Sequence, residues 1–102
     1  MLLDNTYFNM YVLLMDFTWH ETKRKTNLKK HGLDFTDASQ VFSGPTVTVE
    51  DEVYDADQRF NTTGLFGVKV VVITHAETES EIRVISMREA EQYEIKEFFS
   101  YL

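Results

Sequence analysis

The chain contains no cysteine, one proline and four glycines among its 102 residues, and only ten Lys and Arg stand against seventeen Asp and Glu. Without cysteine there can be no disulfide, thiolate metal site or cysteine nucleophile, so the fold stands on packing alone, which suits a reducing compartment. Sparse Pro and Gly leave no linker, repeat or low-complexity tract, and the length supports one hydrophobic core. Long apolar runs are also missing. The longest near the start, Tyr11 to Met15 within "MLLDNTYFNMYVLLMDF", falls far short of the roughly 20 residues a membrane span needs. That opening lacks the basic region of a signal peptide as well. The expectation is a soluble, unexported, cytoplasmic protein with no membrane association.

What positive charge there is lies in one place. The formal net charge is −7, yet five of the ten cations fall in "KRKTNLKKHG", from Lys23 to Gly32. From His20 to Leu33 only Glu21 opposes them, a local +4 that leaves −11 for the rest of the chain. Such segregation sets up a local positive field on an acidic protein, although a basic nucleic-acid-binding domain in the usual sense is absent. On a helix, Lys23 and Lys30 share one side and Lys25 and Lys29 another. This predicts a diffuse phosphate-attracting surface whose affinity falls steeply with salt.

Gly and Pro punctuate the remainder. "HETKRKTNLKKHG" reads as a helix ended by Gly32, with Lys29, Lys30 and His31 suited to its C-terminal dipole. "DFTDASQVF" reads as a second short helix with Asp34 as N-cap, Asp37 completing a capping box, and Phe35, Ala38, Val41 and Phe42 on one face. Gly44-Pro45 ends it. From Thr46 the period becomes two: "TVTVEDEVYD", "QRFNTTGLFG", "VKVVVITHA" and "EIRVIS" are predicted strands, with "EDEVYDADQ" an acidic loop. Ser86 with Glu89 predicts a capping box opening a terminal helix, "REAEQYEIKEFFSYL". Helices followed by strands predict an α+β domain with an antiparallel sheet of about four strands.

The spacing of Trp19, Asn27-Leu28, Lys30-His31-Gly32, Phe35, Ala38, Val41-Phe42, Pro45, Arg59, Gly64, His75 and "IRVISMREA" (Ile82 to Ala90) resembles the BrnT family, over about Phe17 to Tyr93. The resemblance implies a RelE-like fold and the toxin of a type II toxin–antitoxin system. It implies a metal-independent ribonuclease that inhibits translation, needs no cofactor, and is neutralised by BrnA, a ribbon-helix-helix antitoxin through which alone it would reach DNA. The domain would run over 15–102. Residues 1–14 are extra, either because translation starts at Met15 or because "YFNMYVLL" is an added strand. His20 stands where the family carries an acidic residue, which removes a good N-cap from the first helix.

Cleaving RNA without a metal requires a base for the 2′-hydroxyl, cations for the phosphorane and an acid for the leaving 5′-oxygen. The catalytic candidates are Arg83, Arg88, His31, His75 and Arg59, with Lys23, Lys25, Lys29 and Lys30 as RNA-binding residues and no metal ligands. Arg83 lies in a strand: if Ile82, Val84 and Ser86 share a face, Arg83 takes the other, for phosphate or for a salt bridge. Arg88, in the first turn of the expected terminal helix, would either bind phosphate there or pair with Glu89 or Glu91. Arg59 is either an ion-pair partner or part of the site. His31 is a helix C-cap or a proton-transfer group, His75 a core residue or an open-face one, and base and acid stay unassigned between them. Asn27, on the same side of the helix as His31, ties that helix to a neighbouring loop. An alternative reading is a catalytically weak protein-binding module that acts through complex formation with a DNA-binding partner.

Overall fold

The computed structural model describes residues 14–102. The choice between a start at Met15 and an added strand at "YFNMYVLL" falls on residues 1–14, all but Leu14 outside that range. In chain order the elements are β1 (Asp16–Thr18), α1 (Glu21–His31), a 3₁₀ turn (Phe35–Asp37), α2 (Ala38–Phe42), β2 (Thr46–Tyr54), β3 (Asp57–Phe66), β4 (Lys69–Glu77), β5 (Glu81–Glu89) and α3 (Gln92–Ser100). The strands form one sheet in the order β1-β5-β4-β3-β2. β1 runs parallel to β5 and the other pairs are antiparallel. The α+β expectation therefore holds, with a fifth strand that makes the sheet mixed. The sequence "DFT" is too short to show alternation, and only its pairing of Phe17 with Ile82 and Thr18 with Arg83 makes it a strand.

The first helix ends where its glycine predicts. Gly32 takes the left-handed conformation, φ 71°, and its N–H bonds to the Leu28 carbonyl at 2.8 Å, a closure glycine makes at little steric cost. His20 supplies no side-chain cap. Instead Glu21 is held by Trp19 and by Arg24, whose guanidinium also bonds Asp34. These bonds, Arg24 first, hold the Glu21 carboxyl down to about 2. Arg24 thus serves the fold and leaves the cationic surface to the lysines.

Two capping predictions are corrected. Asp34 does cap, but it accepts the Thr36 N–H, while the Asp37 N–H that a capping box would use bonds the Asp34 main-chain carbonyl. The expected second helix consequently opens as a 3₁₀ turn. Ser86 caps nothing, because β5 continues to Glu89 and the ladder pairs Ser86, Met87 and Arg88 with Thr74, Ile73 and Val72. The terminal helix starts at Gln92, with Glu94 accepting the Glu91 N–H at 2.8 Å. Nor is "EDEVYDADQ" a loop. β2 and β3 pair up to Tyr54 and Asp57, and the chain reverses through Asp55 and Ala56, both at positive φ, the two-residue turn that suits strand twist.

The sheet is covered on both faces. Leu33, Phe35, Ala38, Val41 and Phe42 pack with Val71, Ile73, Ile82, Val84 and Met87 into the main core on one face. Burying a side chain such as Phe35, which has no exposed surface, contributes roughly 1.5–3 kcal/mol. α3 lies on the other face and covers part of it through Phe98, which is likewise buried. Among the described residues no helix is long and apolar enough to cross a membrane.

Candidate functional site

The site is built by an irregularity in β5. Thr74 pairs with Ser86, but His75 pairs with Val84, so Ile85 is an extra residue on β5. In an unbroken strand Ser86 would share a face with Ile82 and Val84, and Arg83 and Arg88, five apart, would point to opposite sides. The extra residue reverses the alternation. Met87 joins Ile82 and Val84 in the core, and Ser86 and Arg88 join Arg83 on the face that carries α3. The predicted grouping of Ser86 with Ile82 and Val84 is therefore corrected.

Arg59 lies on the same face, because Arg59, Ala76 and Arg83 form one row across β3, β4 and β5. Two strand spacings put the Arg59 and Arg83 backbones roughly 10 Å apart. The adjacent row is Asn61, Thr74 and Ser86, and the next is Thr63, Val72 and Arg88. Three arginines thus surround a small polar patch in which Thr74 donates to Asn61 at 2.7 Å and Asn61 donates to Asp51 at 3.0 Å. Ser86, Asn61 and Thr74 were not among the expected site residues. Alternation from Arg59 reaches Asn61, but nothing local marks Ser86 and Thr74 as its neighbours.

Arg83 and Arg88 each hold a carboxylate. Arg83 donates to Asp57 at 3.0 Å in a pair exposed on both sides, an arrangement worth about 0.2–1 kcal/mol. So weak a pairing costs little to break. Arg88 is held more firmly, by two bonds to Glu94 at 2.8 and 2.9 Å. This bond is the leading cause of the lowered Glu94 pKa and of the raised Arg88 pKa. Arg88 therefore reaches the first turn of α3 from β5 through Glu94 and also donates to the Glu89 main-chain carbonyl at 3.3 Å, and its placement inside the helix terminus is corrected.

The histidines separate. His75 is fully buried on the main-core side, away from the arginines. It stacks on Phe60 and meets the Phe42 edge. Its Nε2 lies 2.7 Å from Thr62 Oγ1, which is 2.7 Å from Thr48 Oγ1. Nδ1 has no aligned hydrogen bond, although a Glu77 oxygen lies 3.3 Å away. Burial lowers its pKa to about 4, so the ring is neutral near pH 7. His31, at the end of α1, is only half buried. With Lys23, Lys30 and Ser86 it lines an open groove of about 280 Å³ between α1 and β5. Ser86 is where this groove meets the arginine face.

Asn27 fastens the two sides together. Its amide donates to the Leu33 and Met87 carbonyls at 3.2 and 2.9 Å and accepts the Met87 N–H at 3.2 Å. The expected tie to a neighbouring loop is present, and it extends to β5 between Ser86 and Arg88. Lys25 and Lys29 are exposed and do not line the groove. Among the described residues no three His, Asp or Glu side chains converge to hold a metal ion.

A family profile described as "Ribonuclease toxin, BrnT, of type II toxin-antitoxin system" matches residues 19–94. The crystal structure of the Brucella abortus ribonuclease toxin BrnT is similar, with 34% sequence identity and a TM-score of 0.58 over 76% of this chain and 99% of that one. No curated protein matches. The matched segment takes in α1, the whole sheet beyond β1 and the turn into α3, the elements that carry the arginine face and its groove. With most of its length inside that match, the chain belongs to the BrnT family of ribonuclease toxins of type II toxin–antitoxin systems.

Proposed function

We propose that the chain is a cytoplasmic, metal-independent endoribonuclease that inhibits translation until a BrnA-like ribbon-helix-helix antitoxin sequesters it, and that it meets DNA only through that partner. The observation that carries this reading is the β5 irregularity, which gathers Arg59, Arg83 and Arg88 on one face beside the Lys23, Lys30 and His31 groove. RNA enters along the lysines, with Lys25 and Lys29 adding long-range attraction. The 2′-oxygen attacks phosphorus and loses its proton to a base, the P–O5′ bond breaks, and the 5′-oxygen gains a proton. His31 is the imidazole suited to such transfer, because it opens on the groove and His75 does not. Arg83 and Arg88 offset the charge on the phosphorane oxygens. His75 organises the core in this scheme.

The test is cleavage of single-stranded RNA by purified protein in chelator. Arg83→Ala and Arg88→Ala each lower the rate by roughly 10²–10³-fold, His31→Ala by at least about 10²-fold, and products end in cyclic phosphate. Rates within threefold of the parent in all three variants, with unchanged circular dichroism, refute the site. The alternative, a catalytically weak module that works through complex formation, has support from the carboxylates already bound to Arg83 and Arg88. It requires intact RNA after incubation with protein that still captures its partner.

A further inference from the structure

We propose that the groove between α3 and the β2–β3 half of the sheet is where the protein antitoxin docks, inserting an amphipathic segment that carries lysines or arginines. This rests on the toxin reading above and names the surface its partner uses.

The groove encloses about 270 Å³, with Val47, Val49, Val72 and Phe98 among its walls. Large side chains at its rim are open to solvent: Val49, Tyr93 and Tyr101 are 55%, 65% and 62% exposed. Apolar side chains clustered around a concavity in this way mark an interaction surface. Charge identifies the occupant. On one flank the β2–β3 hairpin carries five carboxylates and no cation between Glu50 and Asp57, and Asp51 bonds the groove residue Asn61. On the other, α3 carries Glu94 and Glu97 into the lining. A basic polypeptide with an apolar face meets both the apolar walls and the carboxylates that flank them.

Position supplies the consequence. Glu94 lines the groove and also holds Arg88. A segment seated against α3 therefore lies beside Arg88 and covers that side of the arginine face, so that docking and loss of RNA access are one event.

The test uses the full chain and the purified product of the adjacent antitoxin reading frame, with affinity measured by calorimetry. Val49→Lys, Glu97→Lys and Tyr101→Ser change exposed residues outside the RNA-cleaving set. Each is expected to raise Kd by at least about tenfold while thermal stability and the RNA cleavage rate of the free chain stay unchanged. Lys30→Gln is expected to leave Kd unchanged. Affinity within twofold of the parent in Val49→Lys and Glu97→Lys overturns the proposal, as does loss of affinity confined to lysine or arginine variants of the RNA face, or failure of the adjacent product to bind. Absence of RNA cleavage by the free chain counts against the ribonuclease reading only, because the affinity comparison does not depend on turnover.

Discussion

Replacing Asn27 with Ala removes the clamp between α1 and β5. The amide is 8% exposed and satisfies three main-chain groups, Leu33 O, Met87 O and Met87 N–H. Leaving a buried polar group without a partner costs about 1–3 kcal/mol, so three such groups set an upper bound well above what is expected here. Asn27 borders the groove between α1 and β5, where water can approach the exposed main-chain groups, and this brings the net cost to about 2 kcal/mol. For a domain of this size that corresponds to a fall in Tm of roughly 8–16 °C. Asn27→Asp is no rescue, since a carboxylate still accepts the Met87 N–H but faces two carbonyls it cannot donate to. Thermal unfolding followed by circular dichroism decides the matter. A fall below about 3 °C for Asn27→Ala would refute the claim that this side chain fastens α1 to the strand bearing Ser86 and Arg88.

His75 makes stability depend on pH. Its folded pKa, about 4, lies below the ordinary value of 6.5, so between these values the unfolded state binds the extra proton and stability falls as pH is lowered. The effect is complete near pH 4, amounts to at most about 3 kcal/mol, and is opposed by Glu77, whose burial raises its own pKa. Urea unfolding from pH 7 to 4 checks this, and His75→Gln is expected to flatten the profile; an unchanged slope would remove His75 as its source. Gly64→Ala probes the close approach of β3 to α2: a Cβ there would sit 2.7 Å from Val41 Cγ1 and 3.1 Å from Thr46 Cγ2. The expected loss is about 1–3 kcal/mol in chemical denaturation, partly restored by Val41→Ala, and equal stabilities would contradict the packing.

Elements governed by neighbours in sequence were legible from the chain itself. The cationic helix ending at Gly32, the Asp34 cap, the apolar face of Phe35, Ala38, Val41 and Phe42, and the alternation of β4 all follow from local sterics and periodicity, which a few residues suffice to encode. Readings failed where a distant partner outweighed a local signal. The Ser86–Glu89 capping pattern is outweighed by the ladder to β4, "DFT" becomes a strand only beside Ile82 and Arg83, and the acidic stretch after Val49 closes into a hairpin.

The candidate site divides in the same way. Residue types and motif spacing were enough to indicate the family, to nominate Arg59, Arg83, Arg88, His31 and His75, and to concentrate the lysines on one helix. Which residues meet was decided in three dimensions. His75 was sent to the core by its stacking on Phe60 and its bond to Thr62, and His31 and Ser86 line one groove because Asn27 fastens α1 to β5. Arg83 and Arg88 are five residues apart and alternation alone separates them. The one unpaired residue between them, Ile85, reverses that alternation and sets both on the same face, and its insertion depends on register with β4, which no local pattern of β5 encodes.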